Sequence, residues 1–478
     1  MSDSLYDTHD GLALADLVRK GTVSSLELLE DAIQRVEKAD SKVGLIANRT
    51  YDYARDQIKQ GLPDGPFKGV PFMLKDEEAS CIAGLPITTG TKLLQDNVAQ
   101  TTSTLAQRFL NTGVLMMGYT KVPPWFVTFD CERSWYGRCM TPWNPENGIS
   151  GGSSAGSAAV VGAGALPMAS GSDGGGSLRL PSAWCGAFTI KPSRGRIPAG
   201  PPLTEEWFGM ATFGHITRSV RDHAALMDAT MGIALGSSYT APQPKRSYLE
   251  EVQHECPPLR VAVQTQDHDG REFHPHHLAA VEETARLLEE LGHNVEYAAP
   301  KIDIEELSNR LYDNVALSTQ IAIKALGEQR GRPIDDDELE ALIVSFRNRG
   351  RVATGPDILR VNELSMLVAY DFAVFMQSYD VVVSATVSRP ATEPGWVYRN
   401  ETNLDEFRRD QNEILNMTQV QNFTGQPAAS VPLCWSPDKQ PVGIMLVGRY
   451  GDESTLYSLS AQLERAKPWW GRMPEGIL

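Results

Sequence analysis

Long apolar runs are missing from this 478-residue chain. The stretch 158–169 is too short and too rich in small residues to cross a bilayer, so no transmembrane helix is expected. Basic residues are outnumbered, 44 Lys and Arg against 60 Asp and Glu, for a formal charge of −16. That balance argues against nucleic acid or an anionic membrane as a partner, since both need a basic face. Cysteine is sparse: six residues, at 81, 131, 139, 185, 256 and 434, with no Cys-x-x-Cys pair. Reduced thiols in a cytoplasmic setting are expected rather than a disulfide frame. The acidic opening Met1-Ser2-Asp3-Ser4-Leu5-Tyr6-Asp7 lacks the apolar core of a signal peptide. A metal is not expected either. The nine histidines include His274-Pro275-His276-His277, but this cluster reads as a Pro-containing surface loop without ligand spacing. No internal repeat is visible, which excludes a solenoid.

What remains is an ordinary globular composition, 41% apolar and 22% charged, with one unusual stretch. Gly151-Gly152-Ser153-Ser154-Ala155-Gly156-Ser157 leads through a small-residue run to Ser170-Gly171-Ser172-Asp173-Gly174-Gly175-Gly176-Ser177-Leu178-Arg179-Leu180-Pro181. The run between these Gly/Ser loops holds Ala, Val, Leu and Met, which a solvated linker would lack. A buried helix followed by a strand fits it better. Glycine lets backbone N–H groups crowd toward one point, making a concavity for developing negative charge. A serine placed there can attack a carbonyl if something takes its proton. Ser177 is read as the attacking group and Ser153 as the proton carrier. No Gly-Lys-Ser/Thr triplet closes either loop, so a P-loop is not expected. Gly152-Ser153-Ser154-Ala155-Gly156 also fits Gly-x-Ser-x-Gly, which would make Ser154 the nucleophile. That turn needs a strand running into it, and Met140-Thr141-Pro142-Trp143-Asn144-Pro145 reads as a loop.

The proton acceptor has to come from elsewhere in the chain. Val70-Pro71-Phe72-Met73-Leu74-Lys75 reads as a buried strand ending in a lysine. Such a lysine either snorkels to solvent or is desolvated. Lowering its pKa from about 10.4 to near 7.5 takes roughly 4 kcal/mol, which burial can supply.

Ser24-Ser25-Leu26-Glu27 is a capping box opening a helix to about Lys38, inside an N-terminal helical cover, residues 1–65. Residues 66–300 form the α/β core. Residues 301–378 form a helical subregion shaping the pocket, with Asp335-Asp336-Asp337-Glu338 at a helix start. Residues 379–478 return as strands and a last helix completing the same sheet. The expected fold is one large α/β domain, a central mixed twisted sheet covered by helices on both faces. Trp125, Phe126 and Tyr136, on a long loop leading to the serines, are expected to wall the substrate pocket.

Lys75 after its apolar strand, Gly151-Gly152-Ser153-Ser154, and Asp173-Gly-Gly-Gly-Ser177-Leu-Arg179-x-Pro181 together resemble the amidase signature family. Within it the chain resembles the 6-aminohexanoate cyclic dimer hydrolase branch of nylon-oligomer amidases, on Ile216-Thr217-Arg218-Ser219-Val220-Arg221-Asp222 and Gly331-Arg332-Pro333. The resemblance implies a serine amidase cleaving linear or cyclic aliphatic amides and anilides, and also carbamates and esters. It implies Ser177 as nucleophile, Ser153 in a cis peptide as bridge and Lys75 as base. The N–H groups of Gly174, Gly175, Gly176 and Ser177 would form the oxyanion hole, supported by Ser154, Asp173 and Arg179. No cofactor is required; the partner is a small-molecule amide or carbamate, with a homodimer as the assembly to test. Gly174 departs from the family, where Thr or Ile usually stands, and implies an enlarged acyl pocket. Two other readings compete. One is the glutamine-hydrolysing A subunit of a tRNA-dependent amidotransferase, disfavoured by Leu180 where that group commonly has Gln. The other is a non-catalytic binding protein on the same fold.

Overall fold

In the computed structural model residues 4–201 and 204–478 are described. Eleven strands build one sheet: β1 (Ile46–Arg49), β2 (Pro71–Lys75), β3 (Leu115–Thr120), β4 (Met168–Asp173), β5 (Phe188–Lys191), β6 (Thr212–Thr217), β7 (Arg260–Val263), β8 (Asn294–Tyr297), β9 (Val381–Ala385), β10 (Ala428–Trp435) and β11 (Pro441–Val447). Their order is β1-β3-β2-β4-β6-β5-β10-β11-β9-β7-β8. The chain is thus a single α/β domain around a mixed sheet, with 15 α-helices among the described residues.

Pairing is mixed: β2 with β3 and β4, and β7 with β8 and β9, are parallel, and the other neighbours are antiparallel. β2 runs parallel to both β3 and β4, in the registers Lys75↔Thr120 and Met73↔Ala169. β4 meets β6 antiparallel along its whole length, and β10 and β11 form a hairpin. A strand buried on both faces needs no polar alternation. β2 is such a strand: Phe72, Met73 and Leu74 are all buried, each contributing about 1.5–3 kcal/mol.

The capping box at Ser24 forms as its spacing implies. Ser24 Oγ accepts from the Glu27 N–H at 3.1 Å, and Glu27 accepts from the Ser24 N–H at 2.8 Å. The helix it opens runs Ser25–Val43, and Gly44 ends it in the left-handed conformation. The first 65 residues are more than a cover, because β1 pairs antiparallel with β3 and extends the sheet. The acidic segment at 335–338 also differs from expectation. It is a short 3₁₀ turn, Asp336–Glu338, tied to Arg332 by a bidentate pair at 2.7 Å. The helical subregion consists of Ile304–Arg330, Ala341–Val352 and Gly355–Phe375, and encloses a small second apolar cluster of Ile323, Ile334, Leu339 and Ile343. Among the described residues no helix is long and apolar enough to cross a membrane.

Candidate active site

Lys75 is the last residue of β2, and β4 beside it ends at Asp173, so the carboxyl ends of two parallel neighbours open onto one point. That edge of an open α/β sheet is where ligands usually bind. The backbone N–H of Lys75 donates to Ser170 Oγ at 2.8 Å, locking the strand end to β4. Its side chain is fully buried. As an ammonium, Nζ donates to Ser153 Oγ at 2.8 Å and to Ser172 Oγ at 2.6 Å. Burial holds the Lys75 amine below the ordinary lysine range, while the nearby carboxylates of Glu77, Asp173 and Glu206 pull the other way. The ring of Phe126 lies 5.1 Å from Nζ and covers it on a further side.

Ser153 lies in the first Gly/Ser loop, and the Gly152–Ser153 peptide is cis. The loop feeds the helix Ala155–Gly162, with Ser154 at its N-cap. No strand runs into Ser154, so the Gly-x-Ser-x-Gly elbow is not built here. Ser154 instead ties the two loops together. Its Oγ accepts from the Ser172 N–H at 3.3 Å and donates to the Ser172 carbonyl at 3.2 Å. Its N–H donates to the Ser177 carbonyl at 3.2 Å. Ser177 therefore sits beside Ser154, the chain neighbour of Ser153, through backbone contact. Its half-buried hydroxyl has no hydrogen-bond partner among the described residues.

The glycine loop is held from below by a buried ion pair. Arg179 Nε and Nη2 donate to the two Asp173 oxygens at 2.9 and 2.8 Å, with both side chains fully enclosed. Burial alone would raise the Asp173 pKa. The charge and hydrogen bonds of Arg179, with Lys191 and Asn422, outweigh it and hold that carboxyl at about 2. Asp173 also accepts from the Gly176 N–H at 2.8 Å. Gly176 thus drops out of the four expected oxyanion donors, because its N–H is already spent. The N–H groups of Gly174, Gly175 and Ser177 have no partner among the described residues.

Several expected features are placed differently. Trp125 packs against the second apolar cluster rather than toward Lys75. Tyr136 serves the scaffold, its hydroxyl accepting from the Val122 N–H at 2.9 Å and donating to the Val122 carbonyl at 3.0 Å. Of the three aromatics expected in the pocket, Phe126 alone reaches the lysine. Gly174 does not enlarge the pocket, because the indole of Trp207 takes the space its side chain would fill. Leu180 is fully buried, its side chain packed against Gly151.

Other residues of the site escaped the sequence. Glu77 Oε2 accepts from Ser172 Oγ at 2.5 Å and lies 3.3 Å from Lys75 Nζ. Gln421 and Asn422, on the helix Leu404–Thr424, accept from Arg179 at 2.7 and 2.9 Å. The signal for the latter pair was a dense run of amides on a helix whose other faces are apolar.

The fold is that of the amidases. The amidase family profile matches residues 27–457, and the chain belongs to that family as an amide-hydrolysing enzyme. It is 33% identical to the 6-aminohexanoate-cyclic-dimer hydrolase of Paenarthrobacter ureafaciens, over 98% of this chain and 96% of that one. A solved structure of a 6-aminohexanoate cyclic dimer hydrolase with substrate superposes with a TM-score of 0.93 at 31% identity, covering 99% of this chain and 100% of that one. A bacterial aryl acylamidase of the amidase signature family shares the fold, with a TM-score of 0.87 at 24% identity over 98% of each chain.

Proposed function

We propose that the protein hydrolyses the C–N acyl bond of small amides, linear or cyclic aliphatic amides and anilides, through an acyl-enzyme, and that carbamates and esters of similar shape also react. Ser177 attacks the carbonyl carbon as its proton passes to Ser153, and the Ser153 proton passes to Lys75. The oxyanion rests on the free N–H groups of Gly174, Gly175 and Ser177, and one lost donor of this kind typically costs about 100-fold or more. Lys75 then returns a proton through Ser153 to the departing amine. Water resolves the ester by the same relay.

The observation that carries this reading is the fully buried amine of Lys75 standing 2.8 Å from Ser153 Oγ. An enclosed lysine whose pKa is lowered by burial is free to take a proton at a lower pH than a solvated one. The named activity of the Paenarthrobacter relative supports aliphatic amides as the first class to try. The test is turnover of linear and cyclic aliphatic amides, anilides and aryl carbamates by the purified protein and by Ser177→Ala. Loss of turnover in the variant, with a fluorophosphonate adduct on Ser177 in the parent, is expected. Parent-like turnover by Ser177→Ala ends the proposal.

A further inference from the structure

Three groups surround the end of Lys75, and only one of them belongs to the serine relay just described. Ser153 Oγ stands at 2.8 Å, Ser172 Oγ at 2.6 Å and Glu77 Oε2 at 3.3 Å. Glu77 is itself nearly closed to solvent, 3% exposed, and its second oxygen faces Ser80 Oγ at 3.4 Å. Its backbone N–H folds back to the Lys75 carbonyl at 2.8 Å, so the two residues share one tight turn at the end of β2. The adjacent Asp76 points elsewhere, accepting from the Thr88 N–H at 2.8 Å and from the Thr88 hydroxyl. The other titratable groups acting on Lys75 are Asp173, already paired with Arg179, and Glu206 from the segment before Trp207, whose carboxyl burial pushes up to about 8. Glu78 lies beside Glu77 and joins it in acting on Glu206.

A neutral amine has two N–H bonds and one electron pair, so a base needs its pair aimed and its hydrogens occupied. Ser172 spends its proton on Glu77 at 2.5 Å, which leaves Ser172 Oγ as an acceptor for one Lys75 hydrogen. The Glu77 carboxylate, 3.3 Å from Nζ, is its ionic partner on the side of the other. The remaining direction of Nζ faces Ser153 Oγ.

We propose that Glu77, with Ser172, is a positioning residue that aims the Lys75 electron pair at Ser153 and holds the charge when the amine takes up the proton. The inference rests on the Ser177–Ser153–Lys75 relay. During attack the Ser177 oxygen–carbon bond forms and the carbonyl π pair moves to oxygen. One proton leaves Ser177 for Ser153, and one leaves Ser153 for Lys75, which becomes an ammonium beside the Glu77 carboxylate. On collapse the C–N bond breaks and the same proton count returns to the amine. A carboxylate beside a transient cation is worth far more in an enclosed site than in water.

The carboxylate also sets the pH at which the base is available. An opposite charge at this range favours the protonated lysine by about 1–3 pH units. In Glu77→Gln the acid limb of kcat/KM for an anilide is expected to move about one unit or more toward lower pH. The plateau kcat is expected to fall about tenfold or more. An unshifted limb in a variant with parent-like melting temperature overturns the inference. Should Glu77→Gln fail to fold, Ser172→Ala carries the test. It is expected to lower kcat about tenfold with KM and the acid limb in place, and an undiminished kcat overturns the proposal. Lys75→Met separates the two levels. Activity surviving in Lys75→Met sinks the relay itself, whereas an inactive Lys75→Met beside an unaltered Glu77→Gln profile sinks only the role of Glu77.

Discussion

Gly174 and Trp207 interlock: a Cβ on Gly174 would stand 2.4 Å from Cζ3 and 2.7 Å from Cε3 of the indole. Trp207 holds a left-handed conformation, φ 54°, as does Phe208 at φ 56°. Bulky residues adopt that region at a cost of about 1–2 kcal/mol. Its carbonyl accepts from Asn314 Nδ2 at 3.0 Å, which helps fix it there. A methyl at 174 therefore meets a held ring, and such overpacking costs about 1–3 kcal/mol. Gly174 donates to the proposed oxyanion site, so the strain falls on catalysis. Gly174→Ala is expected to lower kcat/KM about tenfold or more, and adding Trp207→Ala to restore part of it. A double-mutant cycle with no coupling would remove the interlock from the reaction.

The reaction should slow in acid. A buried lysine whose pKa is lowered is neutral above that value and charged below it, and only the neutral form takes a proton. The rate is expected to fall as pH drops through that value; a profile flat down to pH 5 is the outcome that contradicts a lysine base. Stability should follow in the same direction. The unfolded chain binds the proton more tightly than the folded one, so between the two pKa values stability rises with pH. Lys75→Met is expected to lose about 10²–10⁴-fold in kcat, read against parent turnover of the same amide.

The pair beneath the glycine loop predicts a large stability loss. Asp173 sits at about 2 because Arg179 and its neighbours overcome the burial that would raise it. A carboxylate held low in the folded state adds stability that is present above its unfolded pKa, near 3.9. That contribution is lost as pH falls toward 2. Arg179→Gln leaves the charge enclosed without its partner, which costs about 3–5 kcal/mol. Urea unfolding at pH 7 should show that loss. A loss below about 1 kcal/mol would mean that Asn422 Nδ2 and the N–H groups of Gly176 and Leu178 hold the carboxylate unaided.

The parts of the protein legible in the sequence were those whose physics is local. The Ser24 capping box, the apolar run ending at Lys75 and the glycine loops each carry their signal within a few residues. Asp173 and Arg179 were expected as supports of the glycine loop on the family resemblance, and the structure pairs them. What stayed hidden depends on distant segments. β1, β6 and β8 are short strands whose identity comes from the neighbours they pair with. Trp207 fills the space over Gly174 from a separate turn, so the small residue at 174 suggested room where there is none. Glu77 stood two residues past Lys75, yet only the Ser172 hydroxyl on β4 gives it a role. The Leu404–Thr424 helix went unread because its amides are buried against Arg179 rather than facing water.

Phe126 offers a test opposite in sign to that of Glu77. Its ring is 5.1 Å from Nζ, and two effects follow from that position. The ring face favours the ammonium by about 0.5–1 kcal/mol, which alone would raise the lysine pKa by less than one unit. The ring also keeps water from the amine, and full burial lowers a lysine by up to about 3–5 units. The second effect is the larger. Phe126→Ala should therefore admit water and move the acid limb of kcat/KM toward higher pH, by about half a unit or more. Tyr136→Phe, which loses its bonds to Val122 and a long one of 3.5 Å to Asp76, should leave that limb in place while lowering the unfolding free energy by about 1 kcal/mol. A limb moving to lower pH in Phe126→Ala would mean the ring acts chiefly through its charge distribution. The enclosure of Lys75 would then have to come from the Ser153 and Ser172 loops alone.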